Sequence, residues 1–175
     1  MGALNRLSAD SFKSVEKTPL ILVLDNIRSA LNVGSIFRTA DAFALESILL
    51  CGITAMPPHR EILKTALGSS ETVEWTYFTD TQYAIELLQN SGYRVLALEQ
   101  TTKSIRLQEF SPVQGEKYAL VLGNEVDGVG EHALSLCNGA VEIPQFGTKH
   151  SLNVAVAAGI AAWHLSETYR RLLPK

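Results

Sequence analysis

The fold is decided by residues 118–165, which read YALVLGNEVDGVGEHALSLCNGAVEIPQFGTKHSLNVAVAAGIAAWHL. Two apolar runs typical of strands, Tyr118–Leu122 and Ala140–Ile143, each open into a loop rich in glycine and polar residues. The second loop leads into an alanine-rich segment, Ser151–Arg171, which is predicted to be helical with Ser151 as its N-cap. Strands that deliver two irregular loops to one end of a sheet form the ligand crevice of many α/β proteins. We therefore expect a binding site between these two loops.

Apolar runs and segments of helical periodicity alternate along the rest of the chain. The predicted strands are Leu20–Leu24, Ser47–Cys51, Glu74–Phe78 and Tyr93–Leu98. The predicted helices are Asn32–Leu45 with Asn32 as N-cap, His59–Leu67, Thr81–Asn90 and Glu131–Cys137. We expect residues 1–18 to form a polar lead-in and residues 99–117 a polar connector without strong periodicity. This alternation predicts a single α/β domain over residues 1–175, with a mostly parallel sheet and helices on both faces.

Composition limits the classes of function. The chain has 175 residues, of which 46% are hydrophobic, and a net charge of −3. No apolar run reaches the roughly 20 residues that a membrane helix needs, and the N-terminus lacks an apolar signal core. We therefore expect a cytoplasmic protein without a membrane partner. The excess of acidic residues counts against a protein that coats nucleic acid through charge alone, so any RNA contact would need a local basic patch.

Cysteines and histidines carry no pattern of their own. Cys51 and Cys137 each lie among apolar residues, which predicts small buried side chains rather than redox or catalytic groups. The four histidines are scattered and lack the spacing of metal ligands. We predict no metal site.

Arg38 lies on the predicted helix Asn32–Leu45, away from the apolar stripe that contains Val33 and Phe37. It is either an exposed arginine paired with Asp41 or a functional group. Gly34 falls within the first turn of this helix, where glycine costs about 1 kcal/mol relative to alanine. Close approach of another backbone or of a ligand would explain that glycine.

The loop 123–130 contains three glycines but neither the G-x-G-x-x-G nor the P-loop pattern. Its carboxylates, Glu125 and Asp127, would repel a phosphate, so the loop suits a neutral or cationic ligand or is simply a turn. Small residues dominate two turns of the last predicted helix. They predict close packing, either within the core or between subunits, and we favour a dimer face.

Three stretches together resemble the motifs of the SpoU (TrmH-like) RNA ribose methyltransferases of the SPOUT superfamily. They are N-x-G-x-x-x-R-T-A at residues 32–40, G-N-E-x-x-G at residues 123–128 and I-P-x-x-G-x-x-x-S-L-N at residues 143–153. The resemblance extends from about Leu20 to Leu165. One departure is Val126, where many members carry glycine, and it affects only the flexibility of the loop.

This resemblance implies a C-terminal part threaded into a deep trefoil knot, a homodimer, and transfer of a methyl group from S-adenosylmethionine to a ribose 2′-hydroxyl. The cofactor-binding residues that it implies are Leu98, Gly123, Asn124, Ile143, Pro144 and Leu152. The catalytic residues that it implies are Arg38, Asn32, Glu125, Ser151 and Asn153. A guanidinium group is a poor base, so we expect Arg38 to clamp a phosphate and stabilise the developing alkoxide. Glu125 is expected to stabilise the loop or to lie near the sulfonium, and the other three residues to orient the ribose and the loop.

The RNA substrate is less defined by the sequence. The candidate RNA-binding residues are Arg28, Arg60, Lys64, Lys149 and His150. We expect a compact folded RNA, with tRNA before rRNA. The alternatives are methylation of a base instead of a ribose, and a catalytically inactive, knotted RNA-binding dimer.

Overall fold

A seven-stranded sheet with helices packed on it makes up the protein, in a computed structural model that describes residues 8–149 and 151–172. The strands are β1 (Thr18–Asp25), β2 (Leu45–Cys51), β3 (Trp75–Phe78), β4 (Tyr93–Leu98), β5 (Ile105–Arg106), β6 (Lys117–Leu122) and β7 (Gly139–Glu142). The helices are α1 (Ala9–Ser14), α2 (Ala30–Ala42), α3 (Arg60–Ala66), α4 (Ser69–Thr72), α5 (Thr81–Asn90), α6 (Glu131–Leu136) and α7 (Val154–Leu172). Within the described ranges, no helix is both long and apolar enough to cross a bilayer.

The strands pair in the order β3-β2-β1-β6-β4-β7-β5, and each pairing is parallel. The prediction of a mostly parallel α/β sheet is therefore confirmed. Because parallel strands point the same way, the loops that follow β1, β4, β6 and β7 all emerge at one edge of the sheet. This edge is where the polar and glycine-rich segments meet.

Alternate residues of the central strands enter two separate cores. Leu22 and Leu120 pack on the side of α2 and α7, whereas Val23 and Val121 pack on the side of α5 and α6. Successive side chains of a strand point to opposite faces, so strands that are covered on both faces must be apolar throughout. Helices on both faces were predicted, and the structure confirms them.

Two predicted helix caps are wrong. The α2 helix begins at Ala30 and is capped by Ser29, whose Oγ accepts a hydrogen bond from the Asn32 backbone N–H over 3.3 Å. The α7 helix begins at Val154 and is capped by Asn153, whose Oδ1 accepts from the backbone N–H of Ala155 over 2.9 Å. Both segments offer several side chains able to cap a helix, and contacts from elsewhere in the fold decide among them.

The connector 99–117 contains structure that the sequence did not reveal. Its strand β5 has two residues, which pair with β7 at Ile105–Val141 and Arg106–Glu142. A short 3-10 turn, Leu107–Glu109, follows it. Two residues are too few to leave a periodic signal, and only the pairing with β7 reveals the strand.

Gly34 marks the contact between α2 and α3. A Cβ atom at this position would overlap the Ile62 carbonyl and the Thr65 hydroxyl. The expected close approach of another backbone is confirmed, and that backbone belongs to α3.

Candidate active site

A cavity of about 400 Å³ opens at the carboxyl edge of β4, β6 and β7. Five of the six predicted cofactor-binding residues line it: Leu98, Gly123, Asn124, Ile143 and Leu152. The sixth, Pro144, lies between two lining residues, Ile143 and Gln145, without lining the cavity itself. The two loops that were expected to form a site therefore do face a common cavity.

The lining of this cavity is acidic and apolar. Its charged side chains are the carboxylates Glu99, Glu125, Asp127 and Glu142. No Lys, Arg or His occurs among the lining residues that the structure describes. Such a lining repels phosphate and favours a ligand that carries positive charge, while Leu122 and Val154 extend the apolar wall on which a flat ring can pack.

Sequence reasoning missed four polar residues of the lining: Glu99, Gln100, Glu142 and Gln145. Each follows or ends a strand that finishes at this edge of the sheet. Their position after the strands β4 and β7 was a signal that could have identified them.

The glycine-rich loop is closed on itself. The Asn124 N–H donates to the Gly128 carbonyl over 2.9 Å, and the Gly128 N–H donates back to the Asn124 carbonyl over 3.0 Å. Gly128 has a φ of +71°, which favours glycine. A Cβ at Gly123 would overlap the backbone of Gly128 and Val129. These two glycines are required by the turn itself, and the turn forms one wall of the cavity.

The end of β1 anchors this loop at two points. The Asn124 side-chain amide donates to the Asn26 carbonyl over 2.8 Å, and the Gly130 N–H donates to Asp25 Oδ2 over 3.0 Å. Asp25 is only 3% exposed, and its other oxygen accepts from the Thr81 hydroxyl over 2.6 Å. Neither Asp25 nor Asn26 was predicted to contribute to the site, yet they determine where the loop lies.

Glu125 binds the N-terminus of α2. Its carboxylate accepts hydrogen bonds from the backbone N–H groups of Arg28 at 3.0 Å and Ser29 at 3.1 Å, and from the Asn32 side-chain amide at 3.1 Å. Burial raises the pKa of Glu125, but these hydrogen bonds outweigh it and leave the pKa below its ordinary value. Of the two roles expected for Glu125, this geometry accounts for the stabilisation of the loop.

Asn32 joins the three predicted motifs. Its amide donates to Glu125, and its Oδ1 accepts a hydrogen bond from the Asn153 side-chain amide over 3.1 Å. Asn32, Glu125 and Asn153 thus form one hydrogen-bonded line, with the exposed Ser151 on the rim of the cavity nearby. Four of the five predicted catalytic residues are brought together.

Arg38, the fifth, lies apart from them. It is exposed on α2 and lines a different hollow of about 560 Å³, which it shares with Lys64 of α3 and Gly159 of α7. Along α2 it is displaced from Asn32 by about 9 Å. In the part of the chain that the structure describes, Arg38 forms no ion pair with Asp41, whose carboxylate accepts from the Thr72 hydroxyl over 2.9 Å instead.

The predicted RNA-binding residues Arg28, Arg60, Lys64 and Lys149 are all exposed. Lys64 shares the hollow of Arg38, and Arg60 lies one turn before it on α3. His150 lies outside the described residues. Over residues 8–149 and 151–172, no group of three or more His, Cys, Asp or Glu side chains is placed to hold a metal ion.

Comparison with known proteins gives consistent results. A family model described as the SpoU rRNA Methylase family matches residues 19–163. The 23S rRNA (guanosine-2′-O-)-methyltransferase RlmB of Neisseria meningitidis is 31% identical over 95% of this chain. An AdoMet-bound rRNA methyltransferase from Sinorhizobium meliloti superposes with a TM-score of 0.80 at 27% identity over 93% of this chain. The present chain spans 64% of the first protein and 61% of the second.

For a third relative, the region similar to this chain makes up almost the whole protein chain. It is a protein studied for the 2-OH methylation of C/U34 on tRNA, with 29% identity and a TM-score of 0.73. The similarity covers 89% of this chain and 98% of that one.

Proposed function

The chain belongs to the SpoU rRNA methylase family, and we propose that it transfers a methyl group from S-adenosylmethionine to a ribose 2′-hydroxyl of structured RNA. The observation that carries this proposal is the pair of hydrogen bonds made by Asn32, to Glu125 and from Asn153, each over 3.1 Å. Through them the three family motifs meet beside one cavity, although they are separated along the chain by 93 and 121 positions.

The residues of this cavity fit S-adenosylmethionine. The apolar walls from Leu98, Ile143 and Leu152 suit the adenine ring. The carboxylates Glu99 and Glu142 give this lining a negative charge that would suit the positively charged sulfonium and ammonium groups of the cofactor. The bound cofactor would supply the electrophilic methyl group, and the chain supplies the position of the ribose relative to it.

Arg38 is the residue that we propose to act on the substrate. A guanidinium group can bind a phosphate with two hydrogen bonds and stabilise an oxygen that becomes negative as its proton leaves. Asn32, Ser151 and Asn153 orient the ribose and the loop. Because Arg38 lines a hollow separate from the cavity, we propose that it serves the cavity of the second subunit of a homodimer.

The dimer face that we propose is α7 with the neighbouring part of α2. Three apolar side chains of α7 are exposed there: Val156, Ile160 and Trp163. They lie on the same helix as Gly159, which borders the hollow of Arg38. A second copy that covers these side chains would bring Arg38 into the subunit interface.

The C-terminal trefoil knot is also part of the proposal. Supporting it, β7 lies between β4 and β5 in the sheet, although both of those strands precede it in the chain. The loop that connects β4 to β5 emerges at the same edge as the chain that leaves β7. A chain that continues from β7 past that loop into α7 would be threaded.

We propose tRNA as the first substrate to test and rRNA as the second. In the relative concerned with tRNA, the region similar to this chain makes up 98% of the protein chain, which supports the first choice. The 23S rRNA relatives support the second choice. We further propose that residues 1–175 form one methyltransferase domain, of which residues 19–163 match the family model, and that the protein works in the cytoplasm.

The experiment is transfer of a labelled methyl group from S-adenosylmethionine to unmodified transcripts of tRNA and of 23S rRNA. Transfer followed by resistance of one phosphodiester bond to alkaline hydrolysis identifies a ribose 2′-O-methyl group. Labelling without that resistance would identify a base methylase instead. RNA binding without any transfer would identify an inactive binding protein. Calorimetry measures whether the chain binds S-adenosylmethionine, which either kind of methylase requires.

A further inference from the structure

Phe146 is the most exposed of the large apolar side chains in the described part of the chain, with 96% of its surface open to solvent. It belongs to neither hydrophobic core. Burial of an aromatic ring is one of the main favourable contributions to folding, and this ring makes no such contribution. A role for this exposed ring is therefore sought in what the protein binds.

The loop that carries Phe146 forms part of the rim of the cavity. Ile143 and Gln145 line the cavity before it, and Ser151 and Leu152 line the cavity after it. Phe146 is therefore held next to a lining residue, on a segment whose two ends are fixed at the proposed site of methyl transfer. At Gly147, the next residue, an added Cβ would meet nothing within 4 Å, so the rim has open space beside the ring.

The chemistry of the rim suits a nucleotide. Every nucleobase has a flat apolar face that stacks on an aromatic ring, whatever its identity. Lys149, three residues further along the same loop, is exposed and can contact a phosphate. A ribose whose 2′-hydroxyl enters the cavity would have its own base, or the adjacent base, at this rim.

We propose that Phe146 is a positioning residue on which a base of the substrate RNA stacks, so that the ribose 2′-hydroxyl is held at the mouth of the cavity. This inference rests on the proposed function and extends it to the recognition of the nucleotide. The alternative partner of the Phe146 ring is a second copy of this chain, which would cover the ring in a dimer. The test distinguishes the two.

The kinetic test compares Phe146→Ala, Phe146→Leu and Phe146→Trp with the unsubstituted chain on the transcript that accepts methyl groups. We expect Phe146→Ala to raise the KM for RNA about tenfold with kcat changed less than about twofold. Tryptophan should restore the KM, since it stacks, and leucine should not. Tyr83→Ala is the matched control, because Tyr83 is a 60% exposed aromatic residue on α5, at the other face of the sheet. That control should leave KM unchanged.

The binding test does not depend on activity. The indole fluorescence added by Phe146→Trp, over that of Trp75 and Trp163, should be quenched when unmodified tRNA transcript is added. If the unsubstituted chain transfers no methyl group but this quenching occurs, the proposed function falls and the stacking proposal stands.

Three results would overturn the inference. They are an unchanged KM in Phe146→Ala, full restoration by leucine, and unquenched indole fluorescence. A loss of activity that sedimentation traces to dissociation of a dimer in Phe146→Ala would assign the ring to the subunit interface and would overturn it as well.

Discussion

The side-chain amide of Asn153 donates a hydrogen bond to the side-chain oxygen of Asn32 over 3.1 Å. Asn153 caps the start of α7, and Asn32 lies in the first turn of α2. The contact therefore brings together the N-terminal ends of two helices, where the helix dipoles are positive. Glu125 receives hydrogen bonds from this region and supplies the opposite charge.

Asn32→Ala should lower both the stability of the fold and the affinity of the cavity for its ligand. It removes the hydrogen bonds to Glu125 and from Asn153, so we expect the free energy of unfolding to fall by about 1–2 kcal/mol. The affinity for S-adenosylmethionine should fall with it, because the cavity walls lose their common anchor. Urea denaturation and calorimetry measure the two effects. Asn90→Ala, at the exposed end of α5, is the control, and an equal loss in that variant would contradict a special role for Asn32.

Glu125→Gln should remove a pH-dependent part of the stability. The pKa of Glu125 in the folded protein is lowered, so its contribution is present above the ordinary pKa of about 4.3 and is lost as the pH falls through the folded value. At pH 7 we expect a loss of about 1 kcal/mol, because the hydrogen bonds donated by Arg28, Ser29 and Asn32 would be accepted by a neutral amide instead of a carboxylate. Urea midpoints should therefore differ at pH 7 and converge as the pH falls below the lowered pKa of Glu125 in the folded protein. Glu86→Gln, in the exposed middle of α5, is the control and should leave the urea midpoint at pH 7 unchanged.

Arg38→Ala should separate binding from turnover. Methyl transfer should fall about 10²- to 10³-fold, as expected when a group that stabilises a developing negative charge is removed. Binding of S-adenosylmethionine should be unchanged, because Arg38 does not line the cavity. Arg38→Lys should recover little, since an ammonium group cannot form the paired hydrogen bonds of a guanidinium.

The control for this experiment is Arg94→Ala. Arg94 is an exposed arginine near the start of β4, where it forms an ion pair with Glu116. It lies at the opposite end of the strand from the cavity, and its removal should leave transfer intact. Normal turnover in Arg38→Ala would exclude the proposed role.

Replacing Gly34 and Gly159 by alanine should change the stability of the protein in opposite directions. Gly34→Ala should destabilise the fold by about 1–3 kcal/mol, because the new methyl group would overlap the backbone of α3. Gly159→Ala on α7 meets nothing within 4 Å, so it should stabilise the isolated subunit by up to about 1 kcal/mol through helix propensity. Thermal unfolding measures both. If a second copy packs closely on α7, Gly159→Ala should also weaken self-association in sedimentation experiments.

The two cysteines should resist alkylation in the native state. Burial raises the pKa of Cys51 and of Cys137 to about 12, so at pH 8 only about one thiol in ten thousand is ionised. Iodoacetamide should label neither residue until the protein is unfolded in concentrated urea. Cys51 is buried as predicted, whereas Cys137 is only partly buried. Rapid labelling of Cys137 in the native protein would contradict the raised pKa of its thiol.

The strands were the easiest elements to predict, because the central parts of β1 and β6 are buried on both faces and are therefore continuous apolar runs. The helix α5 was also predicted with its observed bounds, Thr81–Asn90, since its own sequence contains the apolar stripe and the polar ends. The caps of α2 and α7 were not predicted. Asn32 had suitable chemistry for a cap, but its side chain is used by Glu125, a residue 93 positions away.

The order of residues alone determined the α/β class, the two loops of the site and seven of the residues that line the cavity, because each of these depends on local periodicity or on a short motif. Only the tertiary structure decided that Asp25 and Asn26 anchor the glycine-rich loop, that Glu99 and Glu142 add charge to the cavity, and that Arg38 lies in a separate hollow. These features depend on which strands are neighbours in the sheet and on where their ends meet. No local pattern contains that information, since the partners of a hydrogen bond can be a hundred residues apart.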